Sequence, residues 1–476
     1  MTNPFARWLH RDSLYINGRW QLPFERGTHT LINPVTERPL AEPPEATAVD
    51  IDLAVSAART AFDAGPWPRL TPDERAAALA PLAEQYAKHE RAMAELITIE
   101  MGSPAGFTSQ TSHPRQIIDY YTTRPQERFS FSEPRDGYTL HREPVGVVGI
   151  ITPWNMPQKT IVMKLVPALI AGCTVVVKPA PATPLDALAL AELLDACDLP
   201  PGVVNVVPAA SAQTSQQLAA HPCVDKIAFT GSTRTGSLIA SLCGKAMRRC
   251  SLELGGKSPM LLLDDADIAA AAATVPAQSL ANSGQICSNL TRVLVPARRH
   301  GELLDALDKV FDELTIGDPT DRTIDIGPLV SSQQRNAAVR QIANAERAGA
   351  RVHRGGNRLD REGYFLTPAI VTDVTPANPL FSSEVFAPVL AVTTYDTEDD
   401  AVLLANATRY GLDAAVHSAE PEQAHRVARR IRAGTVRING AETGIDAPLG
   451  GFKESGIGRE LGPEGLYGFT EPKVIA

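Results

Sequence analysis

The chain has no excess of basic residues. Its 45 lysines and arginines are outnumbered by 54 aspartates and glutamates, which leaves a formal net charge of −9. A surface for nucleic acid or anionic lipid needs clustered positive charge to neutralise phosphates. The sequence therefore predicts no nucleic-acid partner and no membrane partner.

Long apolar runs are also missing. Residues 1–20 mix arginine, histidine and aspartate with isolated apolar residues, unlike the continuous apolar stretch of a signal peptide. Nowhere else does an uncharged apolar run reach the length that crosses a membrane. We therefore expect a cytoplasmic protein.

The cysteines and histidines form no recognisable metal or disulfide pattern. The six cysteines lack CxxC spacing, and none of the ten histidines has metal-like spacing or lies beside Cys287. The other five cysteines are expected to be reduced core residues. No metal site is predicted, and nothing favours a cysteine protease.

Strands and helices alternate regularly from residue 145 onwards. Strands rich in valine and isoleucine are predicted at 145–152, 173–178, 202–207 and 224–230. Helices are predicted between and after them at 158–171, 184–197, 214–220 and 232–244. Buried strands linked by helices are typical of a parallel sheet covered on both faces. Because 476 residues exceed a single core, two large α/β domains are expected.

The remaining segments follow a looser alternation. Further helices are predicted at 49–64, 71–88, 90–101, 265–280, 301–313, 331–348 and 421–432. Further strands are predicted at 292–296, 368–372, 389–394, 413–417 and 435–438. Two long strands, over 136–148 and 467–475, are predicted to leave the main body.

Polar residues follow the ends of the central strands. Asn155 comes after the first strand, Lys178 ends the second, and Gly231-Ser232 follow the fourth. Ligands of such sheets bind beyond the carboxyl ends of the strands, and a helix N-terminus there favours a pyrophosphate. This arrangement indicates a nucleotide site, although residues 229–236 do not match the G-x-G-x-x-G fingerprint.

Three residues suggest chemistry on sulfur. Cys287 stands in a polar loop with Gly284-Gln285 before it, where exposed backbone N–H groups favour a thiolate; the alternative is a buried structural cysteine. Glu253 precedes two glycines and can activate water, or it is a solvated residue at a strand end. The Asn155 amide can donate to an oxyanion, or cap the following helix. Together they suit capture of a carbon on sulfur followed by hydrolysis.

With these segments in order, the chain closely resembles the NAD(P)-dependent aldehyde dehydrogenase superfamily nearly from end to end. The matching motifs are Pro153-Trp154-Asn155, Lys178-Pro179, Phe229-Thr230-Gly231-Ser232-Thr233, Glu253-Leu254-Gly255-Gly256-Lys257, Gly284-Gln285-x-Cys287, Glu384-x-Phe386-x-Pro388 and the glycine-rich segment 448–460. The ordered set is far more specific than any one motif.

The resemblance implies a role for each matching residue. Cys287 would attack the aldehyde, Asn155 would hold the oxyanion, and Glu253 would activate the hydrolytic water, with Lys164 and Glu460 relaying its proton. NAD, or NADP as a possibility, would be the cofactor. Its implied contacts are Thr152, Trp154, Lys178, Gly231, Ser232, Leu254, Glu384 and Phe386.

The resemblance also implies the architecture. A Rossmann-type cofactor domain would comprise residues 1–122 and 143–254, and an α/β catalytic domain residues 255–445. Residues 123–142 and 446–476 would form a small β oligomerisation hairpin and bridging segments, the latter also closing the active site. A homodimer or homotetramer is expected.

Departures from the family pattern affect the cofactor more than the chemistry. Pro181 stands where many NAD-preferring members carry a glutamate that binds the adenosine ribose, which leaves the choice between NAD and NADP open. Ser383 and Ala387 replace a common glutamate and glycine around Glu384, with little expected effect. The C-terminus at Ala476 leaves dimer and tetramer both open.

The residues that match the family's aldehyde tunnel are mainly apolar or neutral: Met156, Thr160, Met163, Ile286, Ser288 and Leu449. They include no arginine to meet a second carboxylate, and so predict an uncharged aliphatic, terpenoid or aromatic aldehyde rather than a semialdehyde acid. Two alternatives remain. One is a coenzyme A-acylating dehydrogenase of the same fold, and the other is a catalytically silent structural or binding protein.

Overall fold

The first half of the chain builds an eight-stranded sheet, called here the first sheet. In the computed structural model, which describes residues 5–476, its strands lie in the order Arg19–Gln21, Leu14–Ile16, Val204–Val206, Thr174–Lys178, Val147–Ile151, Lys226–Thr230, Arg249–Glu253 and Gly456–Ile457. The strands from Val204–Val206 to Arg249–Glu253 are parallel, and antiparallel pairs extend both edges. The predicted parallel sheet is confirmed.

Alternate residues of these strands enter two different hydrophobic cores. Val148 and Ile150 pack with residues of helix Pro157–Ala171, whereas Val147 and Ile151 pack on the opposite face with residues of helix Ala48–Asp63. Because both faces are covered, the side chains on both faces are mainly apolar. The strands therefore lack the polar alternation of a sheet with one face in water.

The second half builds a seven-stranded sheet, called here the second sheet. Its strands lie in the order Arg351–Arg354, Ala369–Thr372, Val389–Tyr395, Arg292–Pro296, Pro259–Leu262, Asp413–His417 and Thr435–Ile438. All neighbours are parallel except the first pair. A smaller antiparallel sheet, called here the third sheet, joins Ser132–Arg135, Tyr138–Pro144 and Thr470–Ile475. These three sheets and their helices confirm the predicted α/β class. The exact domain boundaries stay predictions.

Helices and two small hairpins complete the fold. The α-helices are Ala6–Leu9, Ala48–Asp63, Pro72–Met101, Ser109–Thr122, Pro125–Arg128, Pro157–Ala171, Pro184–Asp195, Ala212–Ala220, Thr233–Lys245, Ile268–Ala273, Val275–Gln278, His300–Glu313, Ser332–Arg347, Pro379–Ser382, Glu398–Asn406, Pro421–Ala428 and Gly462–Tyr467. The hairpins pair Gly27–Thr28 with Pro44–Glu45, and Leu31–Ile32 with Pro39–Ala41. No helix between residues 5 and 476 is long and apolar enough to span a bilayer.

One predicted helix break is wrong. The segments 71–88 and 90–101 form a single helix, Pro72–Met101. A capping box starts it, since Thr71 Oγ1 accepts the N–H of Glu74 and the Glu74 carboxylate accepts the N–H of Thr71. Gly102, with φ of 80°, ends it. Pro81 removes one backbone N–H donor inside the helix, but the helix continues through it and past residue 89.

The predicted strand over 136–148 is also corrected, because the backbone turns between two sheets. Tyr138–Pro144 belongs to the third sheet and Val147–Ile151 to the first. Gly146 between them has φ of 126°, and the Asp225 carboxylate, which accepts the N–H of Val147 at 2.7 Å, occupies the space of a side chain there. The turn therefore requires glycine.

A buried pair of carboxyl groups lies where helix Pro72–Met101 meets helix Pro184–Asp195. Glu100 accepts the N–H groups of Leu185 and Asp186, at 2.8 and 3.1 Å. Both oxygens of the buried Asp186 side chain lack a hydrogen-bond partner among the described residues. Burial raises the pKa of both carboxyls well above their usual range, and the charge of Asp186 adds to the shift of Glu100.

We expect the free energy of unfolding to fall less with rising pH in Asp186→Asn than in wild type. A carboxyl whose pKa is raised by folding holds its proton more tightly in the folded state, so stability falls as pH rises from the unfolded pKa towards the folded one. Between pH 5 and pH 8 the variant should gain about 1–2 kcal/mol relative to wild type. Thermal unfolding across this range measures the gain, with the exposed Asp360→Asn as control. Equal pH dependence in all three proteins would contradict the assignment.

Candidate active site

A cavity of about 540 Å³ opens at the carboxyl ends of two strands of the first sheet. Thr230 and Glu253, the last residues of those strands, lie in its wall. Cys287 and Asn155 line the same cavity. Residues 435–449 supply the opposite side, so both large sheets contribute to one site.

Cys287 lies in a loop whose backbone is held in an unusual conformation. In the preceding turn Ala281–Gly284, Asn282 and the two residues after it all have positive φ, between 54° and 76°. Such backbone is costly outside glycine and needs support. The Gln285 side chain supplies it, donating to the Asn282 carbonyl at 3.1 Å and accepting the Val330 N–H at 3.0 Å. The half-buried thiol is thereby fixed at the cavity wall.

Asn155 is tied to the same loop. Its Nδ2 donates to the Gln285 carbonyl at 2.8 Å, which leaves a second N–H of the amide for a ligand. Its own carbonyl accepts hydrogen bonds from Gln110 and Asn282, at 3.0 and 2.9 Å. The amide is thus held rigidly beside the residues that precede Cys287, as an oxyanion donor requires.

The alternative helix-capping role of Asn155 does not occur. The N-cap of helix Pro157–Ala171 is Met156, and no side chain caps this end. The Asn155 amide instead points to the cysteine loop.

The Cys287 thiol is surrounded mainly by groups that oppose its ionisation. Burial raises its pKa to about 12, the charges of Glu384 and Glu253 add to the rise, and Lys159 opposes it. The backbone N–H of Cys287 itself also favours the thiolate. Without ligands, the residue therefore rests as a thiol.

The Glu253 side chain is buried, and one of its carboxylate oxygens is free to accept a hydrogen bond. Its Oε1 has no hydrogen-bond partner among the described residues. Burial raises its pKa well above the usual range and Glu460 raises it further, while Lys164 and Arg459 oppose the shift. A carboxylate with a raised pKa and a free oxygen is suited to accept a proton near neutral pH.

Lys164 connects Glu460 to the strand end at Thr230. The fully buried Lys164 ammonium forms an ion pair with Glu460 at 2.6 Å and donates to Thr230 Oγ1 at 2.5 Å. Burial raises the pKa of Glu460, and the ion pair with Lys164 lowers it. The carboxylates of Glu253 and Glu460 repel each other. A proton gained by one therefore stabilises the charge of the other.

Several buried polar groups beyond the strand ends lack protein partners. Lys178 has no hydrogen bond or ion pair within residues 5–476, and burial lowers its pKa to about 8, with Glu45 opposing. The hydroxyls of Thr152 and Thr233 are also buried without partners in this range. Ser232 caps helix Thr233–Lys245. Unpaired donors at strand ends and a helix N-terminus fit a ligand with hydroxyl and phosphate groups.

Leu254 and Gly231 shape the same region through packing. Leu254 is buried, and its methyl groups lie 2.4 Å from where a side chain at Gly236 would begin. The Gly231 N–H donates to the Glu253 carbonyl at 3.0 Å. These contacts keep the helix close to the strand ends.

Glu384 and Phe386 reach the site from the second half of the chain. The Glu384 carboxylate accepts the Gly256 N–H at 3.1 Å, and burial raises its pKa to about 7. A side chain at Gly256 would collide with the Cys287 carbonyl at 2.3 Å. The Phe386 ring packs edge-on against Trp154, with ring centroids 5.5 Å apart. Trp154, Phe386 and Glu384 thus lie close to the cysteine loop and to the unpaired polar groups beyond the strand ends.

Sequence reasoning missed three charged residues of the cavity wall, Lys159, Arg437 and Glu442. Lys159 lies three residues after Met156 and four before Met163, so helical spacing alone places it on the same face as those residues. Arg437 lies near the end of strand Thr435–Ile438, where ligands of parallel sheets are expected. The predicted lining residues, from Met156 to Leu449, all reach the cavity.

Comparison with known proteins agrees with this geometry. The family model described as the aldehyde dehydrogenase family matches residues 22–475. The chain is 37% identical to the geranial dehydrogenase of Castellaniella defragrans, over 98% of this chain and 99% of that protein. It is 38% identical to the peroxisomal aminoaldehyde dehydrogenase 2 of Malus domestica, over 97% and 95% of the two chains.

Solved structures give the same result. The aldehyde dehydrogenase of Mycobacterium tuberculosis complexed with NAD+ superposes with a TM-score of 0.95 at 38% identity, covering 98% of both chains. Aldehyde dehydrogenase C of Pseudomonas syringae, a mutant in complex with NAD+ and octanal, has a TM-score of 0.95 at 35% identity, covering 99% of this chain and 97% of that one. The predicted family and fold are confirmed: the chain belongs to the aldehyde dehydrogenase family.

Proposed function

We propose that this protein oxidises an uncharged aldehyde to the carboxylic acid with NAD and water. The Cys287 sulfur adds to the aldehyde carbon while Asn155 Nδ2 and the Cys287 N–H donate to the oxygen, and the thiol proton moves to that oxygen, which gives a thiohemiacetal. That carbon then loses a hydride, for which NAD would supply the acceptor when bound, and the hydroxyl loses its proton, which leaves a thioester. The resulting thioester is attacked by a water whose proton passes to Glu253, and the acid leaves as the thiol reforms.

The observation that carries this proposal is the placement of thiol, amide and free carboxylate on one cavity. Cys287, Asn155 and Glu253 all line it, and Glu253 Oε1 has no other partner among the described residues. The Lys164–Glu460 ion pair behind Glu253 supports a route for the released proton. These roles of Lys164 and Glu460 are part of the proposal.

The lining supports an aliphatic, terpenoid or aromatic substrate. Met156, Met163, Ile286 and Leu449 contribute to an apolar wall, and methionine adapts to many shapes. The relative named for geranial and the structure holding octanal both concern uncharged aldehydes. The relatives named for aminoaldehydes concern substrates with an amino group, whose positive charge Lys159 would oppose here.

NAD is the proposed cofactor, held by buried groups that lack protein partners and by the N-terminus of helix Thr233–Lys245. Lys178 and Thr152 would meet ribose or phosphate oxygens, and Ser232 at the helix N-terminus would meet the pyrophosphate. The relatives' structures complexed with NAD+ support this choice. At Pro181 no carboxylate opposes a 2′-phosphate, and its carbonyl contacts His29 Nε2 at 2.8 Å. NADP is therefore proposed as a second, accepted cofactor.

A homo-oligomer is also proposed. The third sheet leaves the apolar side chains of Tyr138, Val474 and Ile475 substantially exposed, at 40%, 61% and 53%. Exposed apolar residues on a small sheet edge support association with another copy. A cytoplasmic location stays a prediction.

The retained Glu253 favours water over coenzyme A as the acceptor of the acyl group. We expect reduced nicotinamide to form continuously from hexanal and NAD without coenzyme A, and more slowly with NADP. The measurement is the absorbance of reduced nicotinamide with each cofactor, with and without coenzyme A. Turnover that requires coenzyme A and yields an acyl thioester would contradict the proposal. No reaction under any condition would support the silent alternative.

A further inference from the structure

Lys159 is an unpaired cation in the wall of the aldehyde cavity. It lies in the first turn of helix Pro157–Ala171, four residues after the proposed oxyanion donor Asn155, and lines the cavity together with Cys287. Within residues 5–476 its half-buried ammonium has no hydrogen bond and no ion pair. A charge left without a partner in an enclosed pocket remains available to a ligand.

The other cationic groups of the cavity are neutralised within the protein. Arg437 forms an ion pair with the buried Asp413, with Nη2 and Nε at 2.8 and 3.2 Å from Oδ2. Burial lowers the pKa of His113 to about 4, so its ring is neutral at pH 7. Among the described residues of the cavity wall, Lys159 therefore supplies the positive charge that no protein carboxylate pairs with.

The acidic groups nearby do not cancel this charge. Glu460 is paired with Lys164 at 2.6 Å, and Glu253 forms no ion pair or hydrogen bond with Lys159 among the described residues. Glu442 lies on the exposed rim. Burial lowers the pKa of Lys159, Arg437 lowers it further, and Cys287 and Glu460 oppose the shift. A negative group bound in the cavity would relieve part of the cost of burying the ammonium.

We propose that Lys159 makes the cavity discriminate between aldehydes by charge, favouring those that end in a carboxylate over those that carry an ammonium. The inference rests on the proposed function, which concerns uncharged aldehydes, and adds an order among charged ones. A neutral aldehyde has no charge for Lys159 to attract or repel. An anionic aldehyde gains an ion pair, and a cationic aldehyde meets repulsion at the same place.

The expected size follows from Coulomb's law in a partly enclosed site. Unit charges several ångströms apart, at the effective dielectric of a protein surface, change affinity by about tenfold or more. Because attraction and repulsion act in opposite directions, the ratio of anionic to cationic substrate should respond to Lys159 by about 10²-fold.

The test compares kcat/KM for succinate semialdehyde and betaine aldehyde, each divided by the value for hexanal in the same protein. In wild type we expect the anionic aldehyde to exceed the cationic one. In Lys159→Met and Lys159→Gln the anion-to-cation ratio should fall by about 10²-fold, whereas Lys159→Arg should keep the wild-type order. Lys309→Met, which removes an exposed lysine elsewhere, should leave the ratio unchanged.

The outcomes distinguish the charge preference set by Lys159 from the proposed function. Faster wild-type turnover of betaine aldehyde than of succinate semialdehyde overturns the inference without any variant. The inference also fails when hexanal is oxidised but the ratio in Lys159→Gln equals that of wild type. Failure of wild type to oxidise hexanal, with or without the charged probes, would count against the proposed function instead.

Discussion

Cys287→Ala is expected to abolish aldehyde oxidation. Without the sulfur there is no covalent adduct from which the hydride can leave, so formation of reduced nicotinamide from hexanal should fall by at least about 10³-fold. Alanine leaves the backbone free to keep the loop that Gln285 and Asn282 support. The variant should therefore still bind NAD, and quenching of tryptophan fluorescence by the cofactor measures this separately.

The control for this result is Cys223→Ala, which removes another half-buried cysteine outside the cavity. It should keep wild-type turnover. If Cys287→Ala retained a substantial fraction of the activity while its NAD binding was normal, the sulfur would not be the nucleophile and the proposed chemistry would be wrong.

Glu253→Gln is expected to separate the two stages of the reaction. Glutamine cannot accept the proton of the attacking water, so the thioester should accumulate and steady-state turnover should fall by about 10²–10⁴-fold. Hydride transfer precedes this step and should still occur. Rapid mixing with hexanal and NAD should therefore give about one reduced nicotinamide per active site, followed by a slow phase.

The nucleophile itself should become more reactive in this variant. The charge of Glu253 raises the pKa of the Cys287 thiol, so its removal lowers that pKa and increases the thiolate fraction at a given pH. Iodoacetamide should then alkylate Cys287 faster than in wild type. Glu422→Gln, at an exposed helix position, serves as the control and should match wild type in both assays. Loss of the initial burst in Glu253→Gln would show that Glu253 acts before hydride transfer.

Much of the site was predictable because it lies at the ends of the strands of a parallel sheet. Asn155, Lys178 and Ser232 follow valine- and isoleucine-rich strands, and any such sheet brings its carboxyl ends to one edge. The Cys287 loop was recognisable from its own polar sequence. Glu384 and Phe386 reach the site by long-range packing against Gly256 and Trp154, so only the family resemblance indicated them.

The misses have local physical causes. The long predicted strand over 136–148 ignores a turn that depends on Asp225, a residue far away in the sequence. The predicted break near residue 89 placed a boundary where no residue interrupts the helix. Lys159 was missed because a lysine in a first helical turn is usually solvated. Packing of residues distant in the sequence, from both halves of the chain, encloses the cavity that it lines.

The central claim is that the aldehyde carbon becomes a thioester on Cys287. The most direct test mixes Glu253→Gln with hexanal and NAD, quenches the mixture in acid, and locates the added mass by peptide mapping. We predict one hexanoyl group per chain, on the peptide that contains Cys287, in proportion to the reduced nicotinamide formed. Reduced nicotinamide without an acyl group on Cys287, or acylation of a different cysteine, would contradict the account.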